Sequence, residues 1–209
     1  SSARLPNERV RHDRSRISGL TEQMTTPLRI VVVNHVHPKR RHVSALRMRM
    51  FAELLASAGD QVILLSEPET PDDTGNPPES LPDLIKTHDW SAPLFVSCRP
   101  QSHALLKAAR EGRIPAGLRQ AILGFSYLTS GGVFADWRQA AARLLPAIAE
   151  TFKPDVVLAT FGNTDTWSIA QSLAGRANCP WIADMKDNWQ AFVPAGFRKL
   201  TAGRFADMA

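Results

Sequence analysis

Residues 154–189, PDVVLATFGNTDTWSIAQSLAGRANCPWIADMKDNW, decide the fold. Residues 155–160 form a short apolar run rich in β-branched side chains, typical of a strand that is buried on both faces. Residues 167–174 carry apolar side chains at helical spacing, and residues 180–183 form a second short apolar run. The pattern predicts a strand, a helix and a second, parallel strand. The polar residues from Asp184 onward then follow the carboxyl end of that second strand, where open α/β folds bind ligands.

A second unit of the same kind stands near the start of the chain. Residues 28–33, LRIVVV, predict a central strand, residues 45–58 an amphipathic helix, and residues 61–65 the next strand. Residues 94–97 predict a third strand. Strands that alternate with helices predict an α/β fold: a doubly wound, mainly parallel sheet in the strand order 3-2-1-4-5, with helices on both faces.

The middle of the chain predicts a loop followed by helices. Residues 67–83 are rich in proline and acidic side chains, which indicates a surface loop. Helical patterns follow over residues 102–111, 115–128 and 135–152, and the last of these is the clearest.

Length and composition indicate a globular protein. The 209 residues are 44% hydrophobic and 22% charged, and no apolar run approaches the roughly 20 residues that a membrane-spanning helix needs. The N-terminus has no apolar signal-peptide core, so we expect a cytoplasmic location. Residues 1–23 predict a disordered extension or an artificial leader, which leaves residues 24–209 as the domain. Cys98 and Cys179 predict buried free thiols.

Positive charge is concentrated after the first strand. The formal net charge is +5, which favours anionic partners. The loop and the helix after it carry cationic and imidazole side chains at His35, His37, Lys39, Arg40, Arg41 and Arg47. Contact with phosphate groups of a ligand, or with an anionic membrane at the inner face, is one interpretation, and a solvated surface loop is the other. A nucleic-acid-binding protein is not expected, since the loop has no interleaved aromatic residues.

The predicted strand order places the switch point of the sheet between the strands at 28–33 and 155–160. The loops at 34–43 and 161–165 therefore flank one crevice, and residues 184–189 lie beside it. This crevice collects most of the polar residues that follow strand ends, so we expect the functional site there.

Two aspartates are the candidate catalytic residues. A carboxylate at Asp184 or Asp187 beside a hydroxyl group can accept its proton as a new bond forms. The alternative is structural, because an Asp-x-x-Asp after a strand also caps the following turn. Beside them, Lys186 is a candidate for binding an acidic group, with a solvated surface lysine as the alternative. Trp189 is a candidate for stacking on a sugar ring, with packing in the core as the alternative.

Further ligand contacts are expected from the two crevice loops. Asn163 and Asp165 are placed to bond hydroxyl groups, although Asp165 also suits a helix cap. With period-2 spacing, His35 and His37 can point the same way, and a metal triad with His42 is conceivable. No carboxylate or cysteine accompanies these histidines in the sequence, so we favour ligand contact and predict no metal site.

Three segments resemble the N-terminal half of GT-B-fold glycosyltransferases of the retaining, family-4 type. The strand LRIVVVNHVHP with the later AELLASAGDQVILLSE is similar to that family's first strand, helix and "L..GHEV" strand. TFKPDVVLAT resembles its "KPDVIHA" strand, and CPWIADMKDNW resembles "IPFVLDLRDPW". The likeness covers residues 28–66 and 150–208.

The resemblance implies transfer of a sugar, with retention, from a nucleotide-sugar donor to a glycan or glycolipid acceptor in surface polysaccharide assembly. It implies no metal and no cofactor beyond the donor substrate. In this family the N-terminal domain holds the acceptor and the C-terminal domain carries a Glu-x7-Glu motif. No two glutamates here stand eight positions apart, so we expect the donor-binding domain to be missing and the chain alone to be inactive. The family's Gly-Gly pair in the first loop is replaced by residues 38–41, PKRR, which suggests cationic side chains as phosphate ligands.

Other functions remain as alternatives. A non-catalytic doubly wound domain that binds a ligand or a partner is the main one, and a two-domain GT-B epimerase is another. A nicotinamide or flavin site is not expected, because no glycine occurs between Asn34 and Ser44 and the G-x-G-x-x-G pattern is absent.

Overall fold

A computed structural model describes residues 26–70, 72–101, 104–160 and 163–185. The predicted extension at 1–23 lies outside these ranges. The strands are β1 (Arg29–Val33), β2 (Gln61–Ser66), β3 (Leu94–Ser97), β4 (Val156–Thr160) and β5 (Trp181–Asp184). The helices are α1 (Val43–Ser57), α2 (Leu81–Thr87), α3 (Ala104–Arg110), α4 (Ala116–Ser130), α5 (Ala135–Ala142), the single turn α6 (Leu145–Ala147) and α7 (Thr164–Ala177), with a π-helical turn at Ile148–Phe152.

The five strands form one sheet in which every pairing is parallel. The order is β3-β2-β1-β4-β5, so β1 lies at the centre with β2 and β4 on its two sides. Val31 of β1 pairs with Ile63 of β2 and with Val157 of β4, and all three side chains are fully buried. The predicted α/β doubly wound fold and its strand order are confirmed.

Alternate residues of the strands point to the two faces of the sheet, as a period of two requires. On one face, Val32 and Leu64 pack under Met48 and Ala52 of α1. On the other face lies the larger core, to which α2, α5, α6 and α7 contribute buried side chains: Leu81, Ile85, Trp137, Ala141, Leu145, Ile169 and Leu173. The strand ends are therefore fixed from both faces, and the loops at the carboxyl edge start from a rigid base.

Two predictions for the middle of the chain were wrong. The loop predicted at 67–83 ends early, because α2 begins at Leu81, whose side chain is fully buried. The helix predicted at 135–152 is interrupted after Ala142, where the Arg143 and Leu144 amides bond three residues back rather than four. Pro146 has no N–H to donate to the preceding turn, which accounts for the break.

Candidate functional site

Arg47, Thr160 and Asp184 come together at the carboxyl edge of the sheet. Thr160 and Asp184 end the neighbouring strands β4 and β5 in matched register, and Arg47 reaches them from α1. Its Nη2 donates to Asp184 Oδ2 at 2.5 Å and to Thr160 Oγ1 at 2.9 Å. The side chains of Arg47 and Asp184 are 36% and 29% exposed, so a ligand can reach both. The group offers an oriented carboxylate and a guanidinium beside the predicted switch point.

The loop after β1 is fastened to the elements around it. Asn34 is buried; its backbone N–H donates to Leu65 O at 3.0 Å and its side-chain oxygen accepts from Ser44 Oγ at 2.8 Å. His42 is the N-cap of α1, since its Nδ1 accepts the Ser44 N–H at 3.1 Å. These bonds set the position from which Arg47 extends.

The histidines of this loop lie in different surroundings. His35 Nε2 stands 3.1 Å from Glu67 Oε1 without forming a directed hydrogen bond, and the centroids of the His35 and Phe134 rings are 3.7 Å apart. His37 is buried, and its Nδ1 accepts the Lys39 N–H at 3.3 Å. Desolvation lowers the pKa of His37, so this imidazole is neutral near pH 7. Within the described residues, no three His, Cys, Asp or Glu side chains are grouped to hold a metal ion.

The basic residues of the loop are exposed. Lys39 Nζ lies 3.6 Å from a carboxylate oxygen of Glu69, and Arg40 Nε donates to the Glu69 carbonyl at 2.9 Å. Arg41 is exposed as well. The loop is therefore a cationic rim on the carboxyl edge, held against the proline-rich segment after β2.

Asn163 and Asp165 are engaged by the protein itself. Asn163 is the N-cap of α7, and its Oδ1 accepts the Thr166 N–H at 3.1 Å. The Asp165 side chain is fully buried, 3.1 Å from Arg138 Nη1, and its Oδ2 accepts the Phe134 N–H at 2.9 Å. Burial raises the pKa of Asp165, against the lowering effect of these two partners. Asp165 thus fastens the segment before α5 to the start of α7.

Three of the predicted site residues, Lys186, Asp187 and Trp189, lie outside the described residues. Of the four site residues predicted at 184–189, Asp184 is the one whose geometry is described, through its pairing with Arg47.

A cavity of about 1000 Å³ opens at the same edge, over the ends of β1, β2 and β3. Its lining includes His35 after β1, Glu67 after β2, Arg99 after β3 and the side chain of Phe134. The sequence analysis did not predict this site. A signal was present, since Arg99 stands two residues after a predicted strand and Lys107 and Arg110 lie on the helix that follows.

The sequence matches no known family model and no curated protein. Among the described residues, no helix is both long and apolar enough to cross a bilayer. Function is therefore inferred from the fold and from the two groups of residues at the carboxyl edge.

Proposed function

We propose that the chain is the acceptor-side domain of a GT-B-fold, family-4-type retaining glycosyltransferase. It would hold a glycan or glycolipid acceptor, while a second domain holds the nucleotide-sugar donor. The observation that carries the proposal is the Arg47, Thr160 and Asp184 group, which stands at the ends of β4 and β5 in the segment that resembles this family. The parallel order 3-2-1-4-5 supports it, because open α/β sheets of this kind bind ligands beside the switch point.

Asp184 is proposed to act on the acceptor hydroxyl. The nucleotide diphosphate leaves with the electrons of the broken C–O bond, and the hydroxyl oxygen bonds to the anomeric carbon on the same face, which retains the configuration. The proton of that hydroxyl passes to the Asp184 carboxylate. Arg47 keeps the carboxylate oriented through the 2.5 Å bond to Oδ2. The other carboxylate oxygen, Oδ1, is not bonded to Arg47 and can accept the proton of the acceptor hydroxyl. Asp187 remains the other proposed catalytic residue.

The test compares the sugar-transfer rates of two aspartate variants of the full-length protein. Asp184→Asn keeps the shape of the side chain and removes the base, so transfer from labelled nucleotide sugars is expected to fall by about 100-fold or more. Asp155→Asn is the matched control. Asp155 also pairs with an arginine, Arg29, at 2.8 Å and is similarly exposed, but it lies at the opposite edge of the sheet. Equal rates in the two variants would contradict the role of Asp184.

A non-catalytic ligand-binding domain is the second candidate. The large cavity over β1, β2 and β3 favours it, because this space is separate from Asp184 and is lined by charged side chains. Ligand binding by the encoded protein with no transfer of sugar from any nucleotide-sugar donor would support this second function over the first.

A further inference from the structure

The cavity over β1, β2 and β3 is built from cationic side chains on several elements. They come from the loop after β1, the segment after β3, the last turn of α3 and the end of α5: Arg40, Arg99, Lys107, Arg110 and Arg143. Two carboxylates also line it, Glu67 and Glu111. The cations therefore outnumber the acids around one concave space.

The carboxylates of the cavity are already engaged. Glu67 contacts His35, and its side chain is 14% exposed. Glu111 forms an ion pair with Arg113, whose side chain is exposed. The Glu111 charge is therefore balanced by Arg113, and Glu67 leaves one carboxylate against the cations of the cavity.

One of the five cations is neutralised by the protein. Arg110 forms a two-pronged ion pair with Asp136, with N–O distances of 2.8 and 2.5 Å, and its guanidinium lies 4.9 Å from the centre of the Phe134 ring. This pair fixes the wall of the cavity. Arg99, Lys107 and Arg143 are exposed, and among the described residues none of the three forms an ion pair.

Like charges around a concave surface repel one another, and their combined field attracts anions into the space they enclose. Guanidinium groups also bind phosphate and carboxylate with two parallel hydrogen bonds. At about 1000 Å³, the cavity lies at the upper end of the range for small-molecule sites. Thr70 and Thr74 add hydroxyl groups to its lining, and Gln101 adds an amide.

We propose that this cavity binds an acidic sugar, in which phosphate or carboxylate groups are contacted by Arg99, Lys107 and Arg143. The anionic groups follow from the charges of the cavity alone, whereas the choice of a sugar rests on the proposed function. In a transferase, the cavity would hold the acidic part of the acceptor while a hydroxyl group of the same molecule reaches Asp184.

Calorimetric titration in the absence of any donor tests the proposal. The probes are glucose 1,6-bisphosphate, digalacturonic acid and the neutral disaccharide maltose. Binding of at least one acidic probe is expected, with a dissociation constant below about 10 mM and weaker binding at high salt, whereas maltose should not bind in that range. A response to the bisphosphate alone assigns phosphate, and a response to the diacid alone assigns carboxylate.

A pair of double variants shows where the probe binds. Arg99→Ala with Lys107→Ala removes two cations of the cavity, and the affinity for the acidic probe should fall at least about tenfold. Lys86→Ala with Arg176→Ala removes the same charge from α2 and α7 and should change the affinity less than about twofold. All four side chains are exposed, so both proteins should fold.

The proposal is overturned if neither acidic probe binds, if maltose binds as well as they do, or if the two double variants lose affinity equally. Because no donor is present, these outcomes are independent of sugar transfer. Binding that persists in a protein with no transferase activity would contradict the proposed function and leave the acidic-ligand site in place.

Discussion

Gly132 is a position where one added methyl group should destabilise the fold. The glycine packs against the buried Asp165 carboxylate, and a β-carbon built on it would lie 2.1 Å from Oδ2, 2.3 Å from Oδ1 and 2.4 Å from Cγ. Gly132 is not among the glycines with positive φ, so the close approach, rather than an unusual backbone, requires glycine here. Gly132→Ala must push the carboxylate away from Phe134 and Arg138.

The expected cost combines two effects. Overpacking of a filled interior costs about 1–3 kcal/mol. Loss of a partner for the Phe134 N–H, which Asp165 Oδ2 accepts at 2.9 Å, costs about 1 kcal/mol more. We therefore expect the free energy of unfolding to fall by about 3 kcal/mol, which corresponds to roughly 6–12 °C in Tm for a chain of this size.

Urea unfolding followed by tryptophan fluorescence measures this change, and Gly124→Ala is the matched control. Gly124 lies within α4 with no atom within 4 Å of an added β-carbon, so alanine should stabilise the helix by up to about 1 kcal/mol. Adding Asp165→Ala to Gly132→Ala should cost less than the sum of the single changes, because it removes the colliding group. A loss below about 0.5 kcal/mol for Gly132→Ala would refute the reasoning.

The contributions of Asp155 and Asp165 to the free energy of unfolding should depend on pH in opposite directions. Hydrogen bonds from Arg29 lower the pKa of Asp155, so its contribution is present above the ordinary carboxyl pKa and is lost as pH falls through the lowered value. Asp155→Asn should reduce this acid-induced loss of unfolding free energy by less than about 1 kcal/mol, since the pair is exposed. Burial raises the pKa of Asp165, so its contribution is present at acid pH and is lost as pH rises through the raised value; unfolding of Asp165→Asn over a pH series should lack this loss. Burial and Glu67 raise the pKa of Cys98 to about 12, so iodoacetamide at about pH 8 should label Cys179 first, as mass spectrometry would show, and should reach Cys98 only after unfolding.

The sheet could be predicted because its signals are local. The run LRIVVV is apolar at every position that the two faces bury, and it became β1 at the centre of the sheet. Where a few residues decide the outcome, the prediction failed. Leu81 and Ile85 were too few to indicate α2 beside prolines, and Pro146 interrupted a helical pattern whose apolar spacing continued past it.

The site could be predicted only where strand ends define it. Asp184 was placed at the carboxyl edge because it follows an apolar run, and its contact with Arg47 arises from helix packing across 137 residues of sequence. Similarly, the contact of Gly132 with Asp165 depends on how α5 and α7 meet, which no local pattern in the sequence indicates. The cationic cavity was missed because its five cations come from four separate segments.

The central claim is tested most directly by the anomeric configuration of a transferred sugar. The protein as its gene encodes it would be incubated with isotope-labelled nucleotide sugars and with glycan or glycolipid acceptors, and the new linkage would be read by NMR. Transfer with the anomeric configuration of the donor retained is the expected result. Transfer with inversion, or no transfer while the cavity still binds an acidic sugar, would contradict the assignment to a retaining glycosyltransferase.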